Sequence, residues 1–404
     1  MKIAVWHNLA SGGGKRTLYN HVKILKENGY YIEIWTTDVF SQDYLPLSDI
    51  SIEHKKELKN AYYDLWKIRN PIKRQSRITE LLNAHCIECI KEIEAKKFDL
   101  LFVNSCGITY MPYIGKFTKL PRILYLGEPN RLLYEAFPEN IWKAPYDELK
   151  LKKIKRIIND FKINYSRRIQ VLNEIEAAKS YQKILVNSLF SRENIMRSYG
   201  LDSTVCYLGV DTEKFNRTEI KKEPYVVGVG TICFIKAIDK AIEIIGRIPL
   251  GIRPVLKWIA NGFDKSYLDE MIELAKKAHV DFKYYINISD IELVNIVSKA
   301  AIMIYTPRLE PFGLAPLESN ACGTYVVAIA EGGVRESISN GKNGTLINGY
   351  FVDELADIVS SFVKDLELAE ARGNEARYFV QKYWDKRFMT DNIIKEIEDI
   401  VLKK

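Results

Sequence analysis

Two carboxylates, Glu310 and Glu318, stand at the ends of EPFGLAPLE, separated by a Pro-Phe-Gly turn and a short apolar run. Ahead of them AIMIYTP (301–307) reads as a buried strand that stops at Pro307. Pro311, Phe312 and Gly313 turn the chain. A helix then begins near Leu314, tolerates Pro316 in its first turn and ends before Gly323. Glu310 is therefore expected at the carboxyl end of a strand. The first N–H groups of the helix, from Gly313 and Leu314 onward, lack intrahelical acceptors and, with the helix dipole, form an anion site suited to phosphate. Glu318 lies about one turn further in, roughly 6 Å along the axis. A carboxylate there can accept two hydrogen bonds from a vicinal diol such as a ribose. Sugar, diphosphate and ribose would meet these three features in order. Taken alone, the same residues also read as a helix-terminal carboxylate and a solvent-facing glutamate.

The elements that must hold this stretch follow from periodicity. KIAVWHN (2–8), a glycine turn ASGGGK, an amphipathic helix closed by Gly29 and the strand YIEIWTTD form a β-α-β unit, which implies a parallel sheet. FDLLFVNS (98–105), RILYLGE (122–128), KILVNS (183–188) and STVCYLGVD (203–211) extend it. A second series begins at YVVGVGT (225–231) and continues through VLKWIA, VDFKYYI, AIMIYTP, TYVVAIA and GTLI, with helices between. The expected fold class is α/β, two doubly wound Rossmann-like domains facing across a cleft. The join is placed in the polar stretch TEKFNRTEIKKEP, giving domains 1–212 and 213–385. Ligands of such sheets bind beyond the carboxyl ends of the strands.

Composition narrows the class. The 404 residues are 47% hydrophobic and 27% charged, as in a globular protein. No apolar run reaches membrane-spanning length. The apolar run at the N-terminus is too short for a signal peptide, so a cytoplasmic location is expected. Cys86 and Cys89 form a lone C-x-x-C within a helical pattern; a zinc site would want a second pair, so buried thiols are expected. SGGGKRT fails the Walker A pattern, because Arg16 replaces Ser or Thr, and it fails G-x-G-x-x-G at Thr17. No D-x-D ends a strand, and no metal or other cofactor is expected. His7, at the end of the first strand, either faces the site or is a satisfied structural histidine. The stretch 150–168 holds eight Lys or Arg and one acidic residue, Asp160. It reads as a solvated basic face or as a helix resting on an anionic membrane. No nucleic-acid motif accompanies it.

EPFGLAPLESNACGTYVVAIAEGGVRESISNGKNGTLI (310–347) resembles the E-x7-E region of retaining glycosyltransferases of the GT-B fold, family 4. VNSLFSRENIMRSYG with YLGVDTEKF, GVGTICFIKAIDKAI, SGGGKR with GYYIEIWTTD, and YLGEPNRLLYE are similar to further segments of that family. The resemblance spans nearly the whole chain and implies that the last helix, within 386–404, returns to the first domain. It implies that Glu310 contacts donor-sugar hydroxyls, that Gly313 and Leu314 offer backbone amides with Phe312 beside them, and that Glu318 binds the ribose. Lys236 matches the lysine that neutralises the diphosphate. Gly13 and Gly14 would let the first loop approach the donor. Glu128, Arg131 and His7 are placed on the acceptor side. Two positions depart from the pattern: Thr231 replaces a phosphate-binding arginine on the donor side, and Gly127 replaces an acceptor-side histidine. The implied reaction is metal-independent transfer, with retention, from a nucleoside diphosphate sugar to a hydroxyl of a glycan or lipid-linked saccharide. A sugar-nucleotide epimerase of the same fold and a non-catalytic sugar-nucleotide-binding homologue are the rivals.

Overall fold

The computed structural model describes residues 1–135, 151–216 and 221–402. They divide into two compact units. The first comprises 1–187, 191–206 and 393–404; the second comprises 188–190 and 207–392.

The first unit is built on seven parallel strands: β1 (Lys2–Asn8), β2 (Tyr31–Thr37), β3 (Ile52–Lys56), β4 (Leu100–Cys106), β5 (Arg122–Tyr125), β6 (Lys183–Val186) and β7 (Thr204–Val205). Their order is β3-β2-β1-β4-β5-β6-β7. The chain winds outward from β1 in one direction, then crosses over to β4 and winds in the other. The topological switch therefore lies between β1 and β4. After its first residue β1 is buried throughout, which explains its continuous apolar run: strands covered on both faces do not alternate. The helices are α1 (Gly13–Glu27), α2 (Lys59–Leu65), α3 (Pro71–Ala95), α4 (Arg131–Tyr134), α5 (Leu151–Lys179) and α6 (Leu189–Tyr199). Asn70 opens α3, its side chain accepting from the N–H groups of Ile72 and Lys73, while Pro71 occupies the first helical position. α3 and α5 pack together. Cys86 and Cys89 are buried on α3, and burial pushes the Cys89 thiol up to about 12, as befits structural thiols. β3 escapes periodicity because IEHKK is a mostly polar edge strand paired only to β2.

The second unit carries six parallel strands: β8 (Glu223–Val229), β9 (Val255–Ala260), β10 (Phe282–Ile286), β11 (Ala300–Tyr305), β12 (Val326–Ile329) and β13 (Gly344–Ile347). Their order, β10-β9-β8-β11-β12-β13, puts the switch between β8 and β11. Helices α7 (Ile238–Arg247), α8 (Lys265–Lys277), α9 (Asp290–Lys299), α10 (Leu314–Ala321), α11 (Val334–Ser337), α12 (Val352–Lys364) and α13 (Leu366–Tyr383) complete it, and the last helix, α14 (Lys386–Leu402), is divided between the two units.

Two boundaries differ from expectation. The segment 203–211 is not one strand: only Thr204 and Val205 pair with β6. The division falls after residue 206, not 212, because the following residues are fastened within the second unit. Val210 N–H donates to the Trp384 carbonyl at 2.8 Å, and its own carbonyl accepts from Lys386 N–H at 2.9 Å. Of the last helix only residues from Ile393 onward group with the first unit. There Glu398 accepts from the Tyr30 hydroxyl at 2.7 Å and Glu396 pairs with Lys183.

Candidate active site

The switch point of the second sheet gathers the predicted donor residues. Lys236 follows β8 and Glu310 follows β11, the two strands that flank the switch. The Lys236 ammonium donates to a Glu310 carboxylate oxygen at 2.7 Å, both side chains being one-fifth exposed. The lysine is fixed by a turn that costs strain. Ala237 sits in left-handed backbone at φ 48°, worth roughly 1 kcal/mol against a residue with a Cβ. Three contacts hold that turn: Arg308 N–H donates to the Ile235 carbonyl, the Thr306 hydroxyl to the Lys236 carbonyl, and Ala237 N–H to the Phe234 carbonyl. The chain between β8 and α7 is thus bonded to residues just beyond β11.

α10 begins beside the pair. Gly313 precedes it at φ 92°, a left-handed conformation that glycine adopts freely, and no side chain caps the helix. Pro316, at the third helical position, has no N–H to leave unsatisfied. The donors directed out of this terminus therefore belong to Leu314 and Ala315, with Gly313 preceding them. Glu318 is buried, 7% exposed, so the reading of it as a solvent-facing helix residue is wrong. Thr231 stands exposed beyond β8.

The remainder of 310–347 is scaffold. Gly333 N–H donates to the Glu310 carbonyl at 2.7 Å, and a Cβ on Gly333 would collide with the Pro311 carbonyl. The Gly-Gly turn is therefore a close approach of backbone to backbone directly beneath the candidate sugar carboxylate. Ser337 Oγ donates to the Phe312 carbonyl at 3.1 Å. Buried Asn343 donates to Asn320 Oδ1 at 3.0 Å and to the Ser337 carbonyl at 3.0 Å, tying α10 to the β12–β13 connection. Phe312, grouped from sequence with the donor contacts, buries its ring, 2% exposed, against Tyr207 and Trp384. Its side chain anchors the turn, and only its backbone lies at the uncapped start of α10. Glu336, part of the motif but given no role from sequence, accepts from the N–H groups of Leu189 and Phe190 and from the Tyr207 hydroxyl at 2.8, 3.0 and 3.0 Å.

In the first unit, Gly13 and Gly14 open α1 immediately after β1, at the β1/β4 switch, and open space lies over Gly13. His7 is fully buried; its Nδ1 accepts from Leu9 N–H at 3.3 Å, and no group among the described residues bonds its Nε2. Burial, reinforced by Lys15, holds its pKa well below the usual histidine range, so the ring is neutral. Sequence reasoning passed over Lys15, whose ammonium is buried in the glycine loop against Gln42 Oε1. Burial lowers its pKa to about 8. Only its place directly after three glycines hinted at it. Beyond β5, Arg131 is buried and pairs with Glu135 at 2.7 Å and with Glu128 at 3.8 Å. Gly127 has its carbonyl bonded by the Ser191 hydroxyl at 2.7 Å. Among the described residues no three His, Cys, Asp or Glu side chains are grouped to hold a metal ion.

Two doubly wound parallel sheets in series, each with its glycine-bearing loop or helix terminus at a switch point, define the GT-B class of fold. Solved structures agree along the whole chain. HepE of Anabaena in complex with UDP-glucose superposes with a TM-score of 0.73 at 16% identity, covering 99% of this chain and 100% of that one. Sucrose-phosphate synthase from Thermosynechococcus elongatus gives 0.74 at 15% identity over 100% of both. The second unit can be placed further: residues 210–379 match the family described as glycosyl transferases group 1. The D-inositol 3-phosphate glycosyltransferase of Mycolicibacterium smegmatis is 25% identical over 231 residues, 54% of this chain and 53% of that protein. The chain thus spans about half the length of the curated relatives it matches.

Proposed function

We propose that the protein is a retaining, family 4 glycosyltransferase that moves a sugar from a nucleoside diphosphate sugar to a hydroxyl of a saccharide, free or lipid-linked. The observation that carries this reading is the Lys236–Glu310 contact of 2.7 Å beside the uncapped start of α10, within the stretch that matches the family model. Its proportions suit a sugar at Glu310, a diphosphate at Lys236 and the Gly313–Leu314 amides, and a ribose at Glu318. The solved complex of HepE with UDP-glucose supports a donor of that class.

In this reading the bond between the anomeric carbon and the diphosphate oxygen breaks as negative charge builds on the diphosphate. The Lys236 ammonium and the helix-terminal amides stabilise that charge where it develops, which is transition-state electrostatics and requires no divalent ion. The acceptor oxygen bonds to the anomeric carbon on the face the diphosphate leaves, and its proton passes to a departing phosphate oxygen. Glu310 has two tasks: it orients Lys236 before the donor arrives and binds sugar hydroxyls afterwards.

Incubation with UDP-, GDP- and ADP-sugars in chelator, with and without saccharide acceptors, tests the reading. The expected product is a glycoside that keeps the donor's anomeric configuration by NMR. An isomerised sugar nucleotide formed without acceptor would instead make the protein an epimerase. Thermal stabilisation by a nucleotide sugar with neither hydrolysis nor transfer would make it a binding homologue.

A further inference from the structure

α5 has two unlike faces. On the inner one Glu174, Ala177 and Ala178 are buried in the first unit. The outer one comprises Ile154, Ile157, Ile158, Phe161, Tyr165 and Leu172, all about half exposed or more, with Phe161 at 68%. At 3.6 residues per turn these six side chains fall within an arc of about 100° and run along about 27 Å of helix. Phe161 and Tyr165 stack on each other along the stripe, centroids 6.4 Å apart. Lys155 and Lys162 flank one margin, and Arg168 falls within the stripe near the other. From Ile154 to Leu172 the sequence holds five basic residues and one acidic residue, Asp160. Lys150, the first residue of the basic stretch, lies outside the described residues.

We infer that this face of α5 is a docking surface for an anionic lipid bilayer. A helix with an apolar stripe and basic margins lies in the plane of the interface, its stripe at the headgroup–acyl boundary and its cations against lipid phosphates. Among the described residues no helix is long and apolar enough to cross a membrane, so α5 rests on the surface. Charge selects this occupant over a second copy of the chain. Two such faces would bring Lys155, Lys162 and Arg168 against the same three, with no acidic residue on the stripe to answer them, since Asp160 lies off it. A nucleic acid would satisfy the lysines and arginines but leave Ile154, Phe161 and Leu172 against water. The inference rests on the first unit's surface alone and is independent of the reaction proposed above.

Co-sedimentation of the full chain with vesicles tests it, using phosphatidylcholine alone and an equal mixture of phosphatidylcholine and phosphatidylglycerol. Binding to the mixed vesicles is expected, weakening as salt rises because the cations are screened. Ile158→Glu with Phe161→Glu should weaken it by at least about tenfold. Lys162→Glu with Arg168→Glu should weaken it on mixed vesicles and flatten its salt dependence. None of these positions belongs to the buried core, so the fold is expected to stand, which an unchanged Tm would verify. Failure to bind either vesicle, or binding indifferent to Phe161→Glu, would overturn the proposal. So would a dimer that Phe161→Glu dissolves in a protein that ignores lipid.

Discussion

Lys236 and Glu318 divide the expected work of the donor site, and the division is measurable. Lys236 meets charge that develops only as the diphosphate leaves, so Lys236→Ala should lower kcat by about 10²–10³ with a smaller change in KM. Glu318 meets a ribose that is the same before and after transfer. Glu318→Ala should therefore raise donor KM about tenfold, the worth of hydrogen bonds to a charged group, and leave kcat nearly unchanged. Steady-state kinetics on the donor found in the sugar-nucleotide screen separates the two. Full turnover by Lys236→Ala at saturating donor would remove the lysine from the chemistry. Glu310 and Glu318 were legible in the sequence, because a carboxylate at a strand end and another one turn into the next helix are set by local spacing; Lys236 was marked only by the family resemblance. The burial of His7 and of the Phe312 ring was not legible, since each depends on packing in the folded chain, for Phe312 against Tyr207 and Trp384, which are remote in sequence.

At the scale of elements, the candidate site stands on a backbone-to-backbone contact that admits no side chain. Gly333→Ala would drive a methyl group into the Pro311 carbonyl and displace Glu310. The expected cost is roughly 1–3 kcal/mol, as for overpacking, with loss of donor binding. Gly251→Ala is the control, because nothing lies within 4 Å of its Cβ position. Denaturant unfolding of the two variants reads the difference, and equal stabilities would show that the turn yields. Alternation of strands and helices was readable for nearly every strand of both sheets. β3 was not, because a polar edge strand lacks the apolar run that marks its neighbours. The true end of the first unit was hidden for a related reason: residues 207–211 look like the tail of a strand, yet their backbone hydrogen bonds go to residues 384–386.

At the scale of the molecule, pH acts through buried ionisable groups. Glu174 is fully buried, accepting from the Tyr134 and Tyr199 hydroxyls at 3.3 and 3.2 Å and from Gln170 at 2.8 Å. Burial raises its pKa from 4.5 to about 8. The folded state therefore keeps a proton that the unfolded chain releases. The stability this supplies is complete below about 4.5 and is lost as pH climbs through about 8. His21 works in the opposite sense: burial lowers its pKa from 6.5 to about 3, so its contribution is present above 6.5 and lost on acidification. Glu174→Gln should flatten the alkaline decline by an amount on the order of a few kcal/mol, followed as Tm against pH. An unchanged profile would place the titration elsewhere.

The sequence by itself determined the α/β class, the two series of strands and the three-part layout of EPFGLAPLE, because these depend on side-chain period, turn residues and the fixed rise of a helix. Tertiary structure alone decided that Lys236 and Glu310, 74 positions apart, are held 2.7 Å from each other. That contact exists because β8 and β11 are neighbours at the switch of the sheet, and strand order is a property of long-range pairing that no local pattern encodes. It decided likewise that the apolar stripe of α5 is left open: periodicity shows the stripe from Ile154 to Leu172, but only packing shows that the fold does not cover it.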